Sequence, residues 1–449
     1  MRTYLNHACL AGIAATFAAN STLAQSPDIL GPVSAGHVAA ISDGDYIAST
    51  YADTILSPPE AGYRDMLTVL SIERGKVTQR ALPVSNSVTA APEIMELAPD
   101  GRTAFVTERL GERPAGGMKV ADLPPGNRLF AIDLADDDDL RLADTAEVGS
   151  NPEALAVSPD GRRIAIVSNS PRASLLQIVA FADGVFGEIQ HFDLAEIGVT
   201  GTADAPRGGV TATNVQWHPS GRYLAVNITT QNRVAFIELI HESGKLAAEL
   251  WDNVVDVGKD PFVGRFTPDG RHYLTSNWGR DFNAKSLEGR VPEAPSTLSV
   301  IRLAQQGATT ARHEVAMTHE TGISAEGIAV SPSGTLVATI NMQDTNFPPQ
   351  SPRYKREASV SLLTFDPESS RLEKVGDYVF EGVLPEGGSF TPSGSHLLVT
   401  VFEGHKGATS RTGPGLEVFR VVEGQKPSLE SLGRVPLPHG VHHVDVAPR

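Results

Sequence analysis

The chain has 449 residues, with 37 basic against 53 acidic side chains and a formal charge of −16, so it is long enough for two or three average domains. Nucleic acid and an anionic membrane surface both need neutralising Lys and Arg, and this acidity excludes either as an expected partner. The single cysteine, Cys9, excludes a disulfide framework and leaves no thiolate chemistry once the segment around it is removed.

That segment, residues 1–24, reads as a secretory signal. Arg2 supplies a basic start, residues 8–19 (ACLAGIAATFAA) an apolar stretch too short to span a bilayer, and Thr22 and Ala24 small residues before a cut. No later stretch is long and apolar enough for a span, so an exported protein, periplasmic or secreted, is expected. Residues 25–43 read as an N-terminal extension and 44–449 as the folded domain.

The domain opens at 44–54 (GDYIASTYADT), which resembles the second strand of a repeating unit, followed by strand-like runs at 65–73 and 77–84. A phrase of Pro, Asp or Ser, and Gly before an apolar run then recurs six times, at 98–108, 158–170, 218–228, 267–277, 331–341 and 391–401. Pro presets φ, Asp or Ser bonds nearby backbone, and Gly takes a positive φ, so each copy reads as strand, tight turn, strand. Counted at the prolines and ending at Pro448, the spacings are 60, 60, 49, 64, 60 and 56. Each is enough for a four-stranded sheet with loops. Further strands fit between the copies, for example 127–135, 174–181, 187–194, 232–240, 296–303, 358–366 and 415–422, rich in β-branched and apolar residues. No amphipathic helix stands out. The last run, 440–448 (GVHHVDVAP), is a first strand with no partner after it. The pattern predicts an all-β fold, a seven-bladed β-propeller of four-stranded antiparallel blades in which the C-terminal strand completes the first blade. A competing reading makes residues 37–42 (HVAAIS) a first strand, which would leave the C-terminal strand surplus.

The turn phrase with its apolar run ending in FVTE (105–108) or LTSN (274–277) is similar to the YVTN propeller repeat, and PEALAVSPDG (152–161) resembles the lactonase-type seven-bladed propeller family. The resemblance covers most of residues 44–448. It implies a propeller and, by analogy, a relative of sugar lactonases and muconate-cyclising enzymes. Such relatives often carry a basic pair just before the innermost strand, where this chain has mostly glutamate, so a phosphosugar substrate is not carried over.

Six residues before each turn proline stand Glu93, Glu153, Thr213, Phe262, Glu326, Glu386 and His442. In a ring these positions converge at the mouth of the central channel, where like charges raise pKa values or recruit a cation. Glu153, Glu326 and Glu386 are the candidate catalytic groups, and Glu93 and His442 candidate ligand-binding groups. A purely structural role, a polar link from blade to blade, fits the glutamates as well. No metal or cofactor is assigned. A divalent cation in the channel, held by His442 with the glutamates, stays open, but His442 and His443 alternate across a strand and cannot share an ion from a regular one.

Five long loops between second and third strands (51–64, 109–126, 278–295, 342–358 and 402–415) carry basic residues, among them Arg109, Arg280 and Arg353. These three, with Arg265 three residues before Pro268, complete the ligand-binding set: a basic lid over an acidic mouth, suited to a small polar or carboxylate-bearing molecule. A protein partner on the loop face is also compatible with long loops. Nucleophile-elbow, phosphate-loop, haem-attachment and EF-hand motifs are absent. Two functions remain: a lactonase-like hydrolase, or a propeller that binds a ligand, metal or protein without chemistry.

Overall fold

Each Pro-Asp/Ser-Gly phrase closes a tight turn. Its glycine adopts a left-handed φ between 68° and 71° at Gly101, Gly161, Gly221, Gly270, Gly334 and Gly394. In all six the glycine N–H donates to the carbonyl three residues earlier, at 2.8 Å. At Asp160 the side chain accepts from Ser158 Oγ (2.6 Å) and from the Arg162 N–H (3.1 Å), so the acid fixes the loop it sits in.

The computed structural model describes residues 29–87, 93–135, 139–200, 210–242, 245–304 and 312–448. The expected signal segment lies outside them. Seven antiparallel sheets result, six of four strands and one with a short additional strand, Val255–Asp256. Blade 2 runs from its inner strand Met95–Leu97 through Thr103–Thr107 and Arg128–Asp133 to Arg141–Glu147. The inner strands of blades 3 to 7 are Pro152–Val157, Ala212–Trp217, Pro261–Phe266, Ala325–Val330 and Gly388–Phe390. Each inner strand touches the next round a closed ring.

Blade 1 is made from both ends of the chain. Its inner strand is Val441–Ala447, paired antiparallel with His37–Ser42, which leads to Met66–Glu73 and Lys76–Pro83. Closure by the C-terminal strand is therefore as expected, but the second strand is not residues 44–54. That role belongs to HVAAIS, which is neither an extension nor a first strand, so the propeller begins at His37. Residues 44–54 instead form a loop with one helical turn, Thr50–Asp53. Tyr46 in it joins the apolar cluster of blades 5 and 6, and Tyr51 packs against that cluster, rather than alternating along a sheet.

The core is divided between the blades. Between blades 2 and 3, for instance, Phe105, Leu129 and Ala131 meet Leu155, Ile164 and Ile166, all buried. Comparable clusters fill the other interfaces. A sheet sandwiched by two neighbours can be apolar on both faces, which explains second-strand runs such as Leu224, Ala225 and Val226, buried throughout. Because blade 1 depends on its C-terminal strand, a chain ending at Gly440 is expected to lose its cooperative thermal transition by circular dichroism. One ending at Ala447 should melt like the full chain.

Candidate functional site

The seven equivalent positions do not meet as one cluster. A β-bulge falls at or beside this position in blades 3, 4, 5 and 6, where the pairing register shifts at Pro152/Ala154, Ala212/Asn214, Pro261/Gly264 and Ala325/Gly327. Bulges re-aim side chains, and the glutamates go to different partners.

Glu93 takes Arg265 as a bidentate partner, Nη2 lying 2.8 Å from both carboxylate oxygens, with His443 Nδ1 3.7 Å away. Burial alone pushes the Glu93 carboxyl up, but the Arg265 guanidinium and then His443 outweigh it and hold the group below the usual range. Together with Glu96, Gln216, Ser389 and Asp445 they line a cavity of about 120 Å³ between the inner strands. Here the acids do link blades: Glu96 accepts the Val157 N–H (3.0 Å) and Asp445 the Leu97 N–H (2.9 Å). The blade-to-blade carboxylate link expected at the glutamate positions is thus built three residues further along. Arg265 serves this charge network and does not line the loop-face pocket described below.

Glu153 is paired with Arg109 at 3.0 Å, and Arg109 is further held by Asn151 (2.9 Å). His442 is fully buried, with Nε2 3.3 Å from Asn86 Oδ1 and its pKa lowered to about 3 by burial and then by His443, so it is a neutral imidazole. Thr213 Oγ1 and the ring of Phe262 complete the circle without charge.

Glu326 and Glu386 are the exception. Both are fully buried, and both oxygens of Glu326 and Oε2 of Glu386 have no hydrogen-bond partner among the described residues. Desolvation pushes Glu386 from 4.5 to about 8, opposed only by a hydrogen bond from the Tyr51 hydroxyl to its Oε1 (3.3 Å). Desolvation, then the charge of Glu386, drives Glu326 well above the carboxylate range, and Arg280 offsets this only in part. The pair is therefore neutral over most of the physiological range.

Tyr51 also lines a pocket of about 330 Å³ formed where the long loops converge. The loops are stitched together. Arg290 Nη1 reaches the Tyr51 carbonyl (3.4 Å), and Arg353 donates to the carbonyls of Glu288, Val291 and Pro292 at 2.8–3.0 Å. Arg353 also binds Asp344 (2.6 Å). It buttresses the pocket wall and is not among the pocket's lining residues. Arg280 does face the pocket, clamped by Asp260 through Nε (2.7 Å) and Nη2 (3.1 Å) and lying 3.8 Å over Trp278 and 4.5 Å over Phe262. The expected basic lid is thus mostly neutralised in place. Arg290, at the pocket wall, has no carboxylate partner among the described residues.

Among the described residues, metal-competent atoms come close together at Asp43, Asp45 and Asp65, within 4.8 Å of one another. These belong to the first loop and not to His442 and the glutamates. Their oxygens accept the N–H groups of Gly44, Asp45, Tyr46, Asn86 and Ser87, which organises the loop carrying Tyr46 and Tyr51. Of the pocket residues that motif reading missed, Tyr51, Trp278 and Asn346 lie in the long loops, and Tyr46 lies just before the first of them, in residues 44–54, read from the sequence as a strand. Aromatic residues inside irregular segments were the available signal.

No family model matches the chain, and no curated protein matches it. Solved structures do. It is similar to a periplasmic gluconolactonase from Pseudomonas aeruginosa, at 18% identity and a TM-score of 0.58, over 92% of this chain and 100% of the other. It is similar to a candidate 6-phosphogluconolactonase from Bacteroides uniformis, at 16% identity and a TM-score of 0.59, over 91% and 99%. A functionally unknown protein from Desulfotomaculum acetoxidans gives 13% and 0.57, over 85% and 96%. At such identities the likeness establishes the propeller and nothing finer.

Two expectations follow from the charges. Removing one partner of the buried Glu93–Arg265 pair leaves the other uncompensated, so Arg265→Met should cost about 3–5 kcal/mol in urea unfolding, with most of it restored by Glu93→Leu in the same chain. The fold binds the Glu386 proton more tightly than the unfolded chain does. Its contribution is complete below 4.5 and is lost as pH rises to about 8. The melting temperature should fall across that window, and Glu386→Gln should flatten the fall.

Proposed function

We propose that the protein is an exported, lactonase-like hydrolase that opens a small polar or carboxylate-bearing lactone in the loop-face pocket. One observation carries this reading: the Tyr51 hydroxyl belongs to a pocket-lining residue and is hydrogen-bonded to Glu386, a carboxyl poised at about 8. Such a value suits a group that must both take and return a proton. The signal-like residues 1–24, the lack of cysteine after Cys9 and the periplasmic neighbour support export. The lactonase names among the neighbours support the reaction class.

Water in the pocket gives a proton to Tyr51 as Tyr51 gives its own to the Glu386 carboxylate, and the water oxygen adds to the lactone carbonyl. The tetrahedral adduct then expels the ring oxygen, which takes the proton back through Tyr51. The products are the hydroxy acid and the regenerated relay, with no net proton gained or lost by the protein. Glu326 stays protonated beside the pair. Arg280, fixed by Asp260 and the Trp278 face, places a positive charge at the pocket wall to stabilise the oxyanion.

Because the relay starts from the Glu386 carboxylate, hydrolysis by the purified full chain should rise with pH to a plateau above about 8. Glu386→Gln and Tyr51→Phe should each lower the rate by about 100-fold or more without loss of folding, measured by proton release from a lactone panel. A binding propeller without turnover is the second reading. It is favoured by the complete burial of both carboxyls behind Tyr51, and folded protein that binds lactones but releases no protons would establish it.

A further inference from the structure

The pocket that holds Tyr51 is poorly suited to a polyhydroxylated sugar. Its wall is largely apolar, built from Val120, Phe282, Leu287, Val291, Met342 and Leu384. Phe282, in the lining, is 51% exposed, with the Arg280 guanidinium 5.0 Å from its ring centre. A sugar lactone buries several hydroxyls at once, each costly without a partner. Few are on offer. Thr50 Oγ1 already donates to the Ile55 carbonyl (2.6 Å) and accepts the Ile47 N–H (3.1 Å).

What the lining does hold in reserve is specific. The Tyr46 hydroxyl, Trp278 Nε1 and Asn346 Oδ1 are buried atoms with no hydrogen-bond partner among the described residues, and all three residues line the pocket. Tyr46 and Trp278 are 2% and 5% exposed, so bulk water does not serve them. Arg290 adds a guanidinium with no carboxylate partner among the described residues, on a helical turn, Leu287–Arg290, capped by Ser286 and braced from behind by Arg353. The lining contains no acidic side chain.

We infer that the pocket selects a flat, apolar-bodied monocarboxylate, its carboxylate received by Arg290 and its one or two other polar atoms by Tyr46, Trp278 and Asn346. Aromatic or alkenyl lactones carrying one acid group fit this description, and aldonolactones do not. The inference rests on the pocket's being the substrate site, and it makes Arg290 a specificity-determining residue rather than part of the proton relay.

Calorimetric titration of the full chain with phenylacetate, its neutral isostere phenylacetamide, and gluconate tests this without requiring turnover. Phenylacetate should bind about tenfold or more tightly than phenylacetamide, the worth of one charge-assisted contact, and gluconate more weakly than either. Arg290→Gln should erase the preference for the acid, weakening phenylacetate about tenfold or more and phenylacetamide far less, with an unchanged circular dichroism melt showing that the fold is intact. Phe282→Ala should weaken both aromatic ligands alike. Gluconate binding as tightly as phenylacetate, a preference that survives Arg290→Gln, or no binding of either aromatic ligand would each overturn the inference. Binding as described with no lactone hydrolysed would leave it standing and remove the hydrolase reading. Hydrolysis confined to aldonolactones would do the reverse.

Discussion

The pairing of Val441–Ala447 with His37–Ser42 is the constraint on which everything else depends. Six blades stacked in an arc would leave two apolar faces open, and only a ring removes both. The seam also assembles the candidate site. Tyr51 meets Glu386 across 335 residues, and His439 holds the Tyr46 carbonyl at 2.8 Å across 393. The first loop reaches the pocket only because the last strand has returned the chain to its beginning. Stability and site geometry are therefore one problem here.

How much of this could be read beforehand follows from which interactions are local. The turns were legible because a Pro, an acid or serine, and a Gly with positive φ act within four residues, and the period between them counts blades directly. The inner strands followed from the same register. The second strand of blade 1 was misplaced because GDYIASTYADT and HVAAIS are both apolar enough, and local pattern does not choose between them. The choice is made by Val441–Ala447, some 400 residues away, whose backbone pairs with His37–Ser42.

The ring-position glutamates were legible as a set and illegible as individuals. Simple alternation carries all of them inward alike, whereas the bulges fall where Glu153 turns to Arg109 and Glu326 is left without a partner among the described residues, and Glu386, in a blade whose inner pairing shows no bulge, meets Tyr51 alone. Partner choice between Glu93 and Arg265 spans 172 positions and has no local signature. The linking acids Glu96 and Asp445 were within reach of the same alignment, three residues on, since a carboxylate repeated at one inner-strand position in two blades is the mark of a structural link.

Two solutions to buried charge coexist near the ring axis. Where a cation is at hand the carboxylate is paired with it, as Glu93 is with Arg265 and Asp260 with Arg280. Where every nearby cation is already engaged, the cheaper course is to keep the proton, as Glu326 and Glu386 do. The repeat breaks at Phe262, where an aromatic ring replaces the glutamate. That ring, with Trp278, carries the Arg280 guanidinium into the wall of the pocket. A fifth glutamate there would have competed with Asp260 for Arg280. The chemistry available in the loop-face pocket is thus set less by the glutamates that repeat than by the blade that puts a phenylalanine in their place.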